Sequence, residues 1–168
     1  MKKLERALLV AEKAHAGQSY DIYTYMYHIQ QVVNIAQSLG YDEAICVACA
    51  LHDVLEDSDI SFNDIKRFFG EEVAEIVYCV TDELGRNRKE RKSRTYPKIR
   101  SNWKAVIVKI CDRIANVRHS LQNNQKLFEM YQKEMPDFRR ELIIDFPHPT
   151  SEVFKAWMEL EVLNKNFK

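Results

Sequence analysis

Eight consecutive apolar residues, Ala44-Ile45-Cys46-Val47-Ala48-Cys49-Ala50-Leu51, run straight into His52-Asp53-Val54-Leu55-Glu56-Asp57. A segment of that length with no polar face has to be buried on all sides, so the chain must build its core around it. The histidine and aspartate then emerge directly from buried structure, where a charge is costly unless something pairs with it. If the stretch is helical, His52 aligns with Glu56 and Asp53 with Asp57, so that all four cover one edge. A divalent cation is a partner that imidazole and carboxylate can share. The plainer reading is the wet face of an amphipathic helix, and the unbroken apolar run upstream argues against it.

Elsewhere apolar residues recur at spacings of three and four, as in Leu4, Leu8, Ala11 and Ala14, then Ile29, Val32, Val33, Ala36 and Leu39. This periodicity predicts an all-α fold. Gly17 closes the first helix, Gly40 the second, and Asp42 caps the third. Ser61 followed by Asp64 resembles a capping box for a helix that runs to Gly70. A further helix is expected over about 71–82, and the polar segment 84–97 reads as a loop or a frayed basic helix. The β-branched run Trp103 to Cys111 invites a strand, but Val106, Ile110, Ile114, Val117 and Leu121 continue it at helical spacing. Two more helices, about 125–146 and 151–166, are separated by Pro147 and Pro149, and Pro136 should kink or split the first.

With 168 residues, 46% of them hydrophobic, the chain can bury a sizeable core and reads as a single domain over 1–168. The 25 basic and 25 acidic residues cancel, which argues against a nucleic-acid or membrane-coating role. Their distribution is uneven: nine Lys or Arg fall between Arg86 and Lys104 against one acid, Glu90, while 53–59 carries only acids. Such a run is either a solvated face or a phosphate-attracting rim. Glu5, Arg6, Glu12 and Lys13 interrupt any signal-peptide pattern and no stretch reaches membrane-span length, so a cytoplasmic location is expected. Cys46, Cys49, Cys79 and Cys111 lie inside apolar helical patterns and read as reduced core thiols; Cys46 and Cys49 have CxxC spacing but no second pair to complete a zinc site.

Two further ligands would complete a metal site. His28 stands at the start of the second helix, and Asp112 interrupts a buried run where an apolar residue would be expected. His28, His52, Asp53 and Asp112 form a mixed imidazole and carboxylate set that suits manganese, iron or zinc.

These four residues match the H…HD…D pattern of the HD-domain phosphohydrolases. Around them, Ala14-His15-Ala16-Gly17-Gln18, Tyr25-Met26-Tyr27-His28, Ala50 to Asp57, Phe69-Gly70, Val80-Thr81-Asp82 and Lys109-Ile110-Cys111-Asp112-Arg113-Ile114-Ala115-Asn116-Val117-Arg118 resemble successive blocks of the RelA/SpoT-type hydrolase domain. More narrowly, the chain is similar to the free-standing small alarmone hydrolases over residues 4 to about 121. The resemblance implies an HD-type helical bundle that removes pyrophosphate from the 3′ position of guanosine tetra- or pentaphosphate with a single manganese ion. Glu56 and Asp57 match the family's paired acids, which orient or deprotonate the nucleophile. Asn116 corresponds to an asparagine that contacts the substrate sugar or phosphate, and beyond 121 Tyr131, with Lys126 nearby, is a candidate for the distal phosphates. Arg113 and Arg118 have weaker claims, as structural partners of acids.

Related stand-alone enzymes remove the 2′-phosphate of NADPH, and nucleoside mono- or triphosphates are further alternatives. A catalytically silent nucleotide-binding regulator is the alternative of another class, and retention of both Glu56 and Asp57 counts against it. The chain departs from the family after Gly17-Gln18, where a basic loop that embraces the nucleotide is replaced by the shorter Ser19-Tyr20-Asp21-Ile22-Tyr23-Thr24-Tyr25. Ile29 also replaces the usual proline after the histidine. Tyr20, Tyr23, Tyr25 and Tyr27 could stack on a base or simply pack. His15 reads as a packed or capping residue, and His119 and His148 as surface or loop residues.

Overall fold

The computed structural model describes residues 1–143 and 151–165. Helix α1 (Lys3–Ala14) stops at His15, after which Gly17 takes a positive φ of 83° and turns the chain. A hairpin absent from the sequence reading follows, β1 (Ser19–Tyr20) paired antiparallel with β2 (Tyr23–Thr24). Asp21 adopts φ 58° in its tip, a left-handed conformation that a short polar side chain tolerates. Strands of two residues carry no alternation, which is why they escape a pattern search.

Next come α2 (Tyr25–Ser38) and α3 (Glu43–Leu51). The expected cap is in place, with Asp42 Oδ1 accepting from the Ile45 N–H at 2.9 Å. Every residue of α3 from Ile45 to Leu51 is buried, as the apolar run demanded. The short α4 (Val54–Asp57) precedes α5 (Phe62–Phe69), which opens on the Ser61/Asp64 capping box, and α6 (Glu71–Val80).

The segment read as loop or frayed helix is a regular helix, α7 (Arg88–Arg100), with Pro97 inside it. It buries Thr95, Tyr96 and Ile99, and its charges find partners outside the helix: Arg88 pairs with Glu134, Lys92 with Asp82 and Lys98 with Glu83. Then follow α8 (Trp103–Asn123), α9 (Gln125–Leu142) and α10 (Glu152–Lys165). Helix α9 runs through Pro136 without being split. Phe146, Pro147, His148, Pro149 and Asn166 lie outside the described residues.

Helix α8 is the hub, packing against α2, α3, α6, α7, α9 and α10, while α1 covers α3 and α5 covers α6. Ile107, Ile110 and Ile114 have no exposed surface. Each such side chain contributes about 1.5–3 kcal/mol. That burial makes α8 a fixed wall from which Asp112 and Asn116 project. The four cysteines are free and buried. His119 is a correction: it is buried on α8 beside the hairpin, 3.2 Å from Asp21. Among the described residues no helix is long and apolar enough to cross a membrane.

Candidate metal centre

The helix that carries the apolar run does not continue through His52 and Asp53. It ends at Leu51, and α4 starts afresh at Val54. The His52 ring supplies the reason, since its Nδ1 donates to the Cys49 carbonyl at 2.8 Å and takes up the acceptor that the next helical turn would use. The four polar residues therefore do not share one edge. His52 and Asp53 face inward, Glu56 turns to the mouth of a cavity, and Asp57 turns to His15, whose Nδ1 lies 3.6 Å from its carboxylate.

With Nδ1 fixed as the donor, His52 presents Nε2 to the interior. His28, from the first turn of α2, aims its own Nε2 at the same point, 3.4 Å away. Asp53 Oδ2 lies 3.0 Å from His52 Nε2, and the ligand atoms of His28, His52 and Asp53 all lie within 4.8 Å of one another. Asp112 approaches from α8, its Oδ1 3.3 Å from His28 Nε2 and 3.8 Å from His52 Nε2. It stands outside the tight set of three, with Oδ2 drawn 3.0 Å from Lys109 Nζ.

The donor chemistry fits a divalent cation. Two imidazole nitrogens and two carboxylates converge at the base of a buried pocket, and the Nδ1 of His28 has no hydrogen-bond partner among the described residues, so that ring's polar contacts run through Nε2. Burial would drive the His52 imidazolium down, but the charge and hydrogen bond of Asp53, with Asp112 behind it, raise the ring to about 9. Asp53 is held far below the ordinary carboxylate range despite its own burial, chiefly by His52. Asp53 thus leans on the His52 ring and Asp112 on Lys109, a compensation that a bound metal would take over.

A second layer orients these groups. The Tyr25 hydroxyl donates to Asp53 Oδ2 at 2.5 Å, and its ring packs 4.5 Å from that of His15. Tyr20 stacks on His28 at 4.8 Å and donates to Asn116 Oδ1 at 2.8 Å, while Asn116 Nδ2 donates to the Asp112 carboxylate and carbonyl. His15 caps α1 and holds Gln18 through Nδ1 at 2.9 Å. Tyr23 and Tyr27 stack on each other at 4.3 Å, outside the cavity lining.

Above the centre is a cavity of about 220 Å³. Its walls alternate acids (Asp53, Glu56, Asp82, Asp112) with cations (Arg88, Lys92, Lys109, Arg113). Sequence reasoning missed Lys109, whose only sign is a cation inside the α8 apolar stretch; Lys92 belongs to the basic run read as a solvated face or a phosphate-attracting rim, and Tyr20 and Tyr25 to the tyrosines read as stacking or packing residues. Tyr131 joins the wall with the Arg113 guanidinium 4.7 Å from its ring centre. Lys126 is exposed on the first turn of α9 and is not part of the lining. Arg118 pairs with Glu159 on α10, away from the cavity.

Glu56 sits at the exposed mouth, where Oε1 accepts from the Asp82 N–H at 2.6 Å. Desolvation there, reinforced by the charges of Asp53 and Asp82 and offset in part by that hydrogen bond, raises its carboxyl above the usual range. A carboxylate with a raised pKa beside a cation site is suited to accepting a proton from water.

The MESH1 protein of Drosophila melanogaster, a guanosine-3′,5′-bis(diphosphate) 3′-pyrophosphohydrolase, is 33% identical over 97 residues, which are 54% of this chain and 54% of that protein. The bifunctional (p)ppGpp synthase/hydrolase SpoT of Escherichia coli K12 is 32% identical over 126 residues, 70% of this chain and 18% of SpoT. The matched region is thus about half of the first relative and under a fifth of the second. A solved structure described as a metazoan ortholog of SpoT that hydrolyzes ppGpp superposes with a TM-score of 0.80 at 25% identity, covering 99% of this chain and 96% of that one. Residues 7–137 match the HD domain family. Since that match takes in α1 through most of α9, and with it every residue of the centre and its cavity, the chain belongs to the HD-domain family.

Proposed function

We propose that this protein is a cytoplasmic, metal-dependent nucleotide phosphohydrolase whose reaction is removal of pyrophosphate from the 3′ position of guanosine tetra- or pentaphosphate. The observation that carries the reading is the convergence of His28 and His52 Nε2 with Asp53 beneath a cavity walled by Arg88, Lys92, Lys109 and Arg113. The relatives named for this reaction support it.

His28, His52, Asp53 and Asp112 would hold the metal, for which manganese is the proposed identity. When bound, it supplies Lewis-acid stabilisation of phosphoryl oxygens and a lowered pKa for water. Glu56 accepts the proton of the attacking water. Asp57 acts through His15, which packs on Tyr25 and so supports Asp53. The cavity cations bind the phosphates, Asn116 and Tyr131 contact the sugar and phosphate side of the substrate, and Lys126 meets what projects beyond the rim.

One observation favours a second reading. The hairpin places Tyr20 over His28 with no cation of its own, so base selection rests on aromatic contacts. An HD-domain phosphatase acting on the 2′-phosphate of NADPH, or on a nucleoside mono- or triphosphate, would use the same centre. Manganese-loaded protein incubated with guanosine tetraphosphate, NADPH and common nucleotides separates the two: pyrophosphate release from the first supports the leading reading, phosphate release from NADPH alone replaces it, and turnover of none rejects both.

A further inference from the structure

Hydrolysis of a ribose phosphate ester needs two proton transfers, one from the attacking water and one to the departing ribose oxygen, a poor leaving group without a proton. Glu56 answers the first need. The four cations of the cavity are candidates for the second. Arg88 and Arg113 are excluded because a guanidinium does not release its proton, and both are tied to Glu134. Lys109 pairs with Asp112, a proposed metal ligand, and so serves the centre itself. Lys92 remains, 12% exposed on the inner face of α7, with Nζ donating to Asp82 Oδ1 and Oδ2 at 3.0 and 3.2 Å.

Asp82 is also the residue whose main-chain N–H holds Glu56. A single residue after α6 therefore anchors the base by its backbone and an ammonium by its side chain, and both line the same cavity. We infer that Lys92 is the general acid that protonates the leaving ribose oxygen, with Asp82 as the positioning residue that sets it against Glu56. The inference rests on the proposed phosphohydrolase reading.

The step balances as follows. Water adds to phosphorus and gives a proton to Glu56; the bond from phosphorus to the ribose oxygen breaks, its electron pair goes to that oxygen, and Lys92 Nζ delivers a proton to it. Glu56 then returns its proton to solvent and Lys92 regains one. Electrostatics agree with the role: burial and the neighbouring Lys109, with Arg88 behind, push the Lys92 ammonium down to about 8 against the pull of Asp82. Tyr131 shares the wall, but burial and Asp112 raise its phenol, which makes it the poorer donor.

The test is Lys92→Arg, which keeps the charge and the Asp82 partner but removes the transferable proton. The expected result is a kcat at least about 100-fold lower, with KM within about threefold and the alkaline limb of the kcat profile abolished, while Tyr131→Phe keeps that limb. A kcat within about threefold of wild type overturns the inference. Should Lys92→Arg fail to fold by circular dichroism, Lys92→Ala is assayed with methylammonium and with guanidinium. Rescue by methylammonium alone supports proton donation; equal rescue by both, or by neither, overturns it. Wild-type protein inert toward every nucleotide of the panel overturns the phosphohydrolase reading itself, and this inference with it.

Discussion

The Tyr25 hydroxyl donates to Asp53 Oδ2 at 2.5 Å, which fixes a proposed metal ligand from the strand-to-helix junction at the start of α2. A neutral donor on that oxygen sets the carboxylate's orientation while leaving its charge available to a cation. Tyr25→Phe is expected to weaken metal affinity by about 10- to 100-fold in calorimetric titration, with the melting temperature little changed. An affinity equal to wild type would show the bond to be incidental.

Glu56 and Asp57 are adjacent in sequence but face different partners, Asp82 and His15. Glu56→Gln should bind metal normally and lose about 100- to 10,000-fold in kcat. Asp57→Asn should lose less, because it acts at one remove through His15 and Tyr25. Equal losses in kcat with unchanged metal affinity would mean that Asp57 also enters the cavity during turnover.

Glu134 receives both Arg88 and the buried Arg113. Burial alone would lift its carboxyl, but the hydrogen bond from Arg88 and the charge of Arg113 outweigh it and hold the group below the ordinary glutamate range. A depressed folded pKa means stability that is present above the unfolded value and lost as pH falls through the folded one. Urea midpoints should therefore decline as pH drops below about 4.5, and less so in Glu134→Gln. At neutral pH that variant leaves Arg113 short of a charged partner and should cost about 3 kcal/mol.

The Asp42 side chain caps α3 and also meets Lys104. Asp42→Ala should cost about 1 kcal/mol in urea denaturation. Since the Asp42 carboxylate is half exposed and its ion pair with Lys104 is screened there, most of that cost belongs to the cap. Lys104→Ala losing as much would reverse the assignment.

How far the sequence reveals this molecule depends on the range of the forces involved. Helix ends set by local chemistry, at Asp42, at Ser61 and Asp64, and at Gly70, are readable because the bond and the residue lie within one turn. Asp112 is readable because a carboxylate in an apolar run is anomalous. The helix break over His52 and Asp53 is not, since it depends on a side chain competing for its own helix's carbonyl. Helix α7 is strongly polar, and its order depends on burial of Tyr96 and Ile99 and on partners outside the helix, Asp82 and Glu83 just before it and Glu134 far along the chain. His119 looks like a surface residue until the hairpin folds over it. The same long range hides Lys92, which only folding brings beside the residue that holds Glu56.

The centre of His28, His52, Asp53 and Asp112 is proposed to hold a metal required for phosphate ester cleavage. This is tested most directly by stripping the protein with a chelator, titrating manganese back, and following pyrophosphate release from guanosine tetraphosphate alongside metal content. The account predicts no release without metal and full activity at one metal per chain, with Asp53→Ala inert and metal-free throughout. Release that persists in the chelator, or an Asp53→Ala protein that binds metal and turns over like wild type, would contradict it.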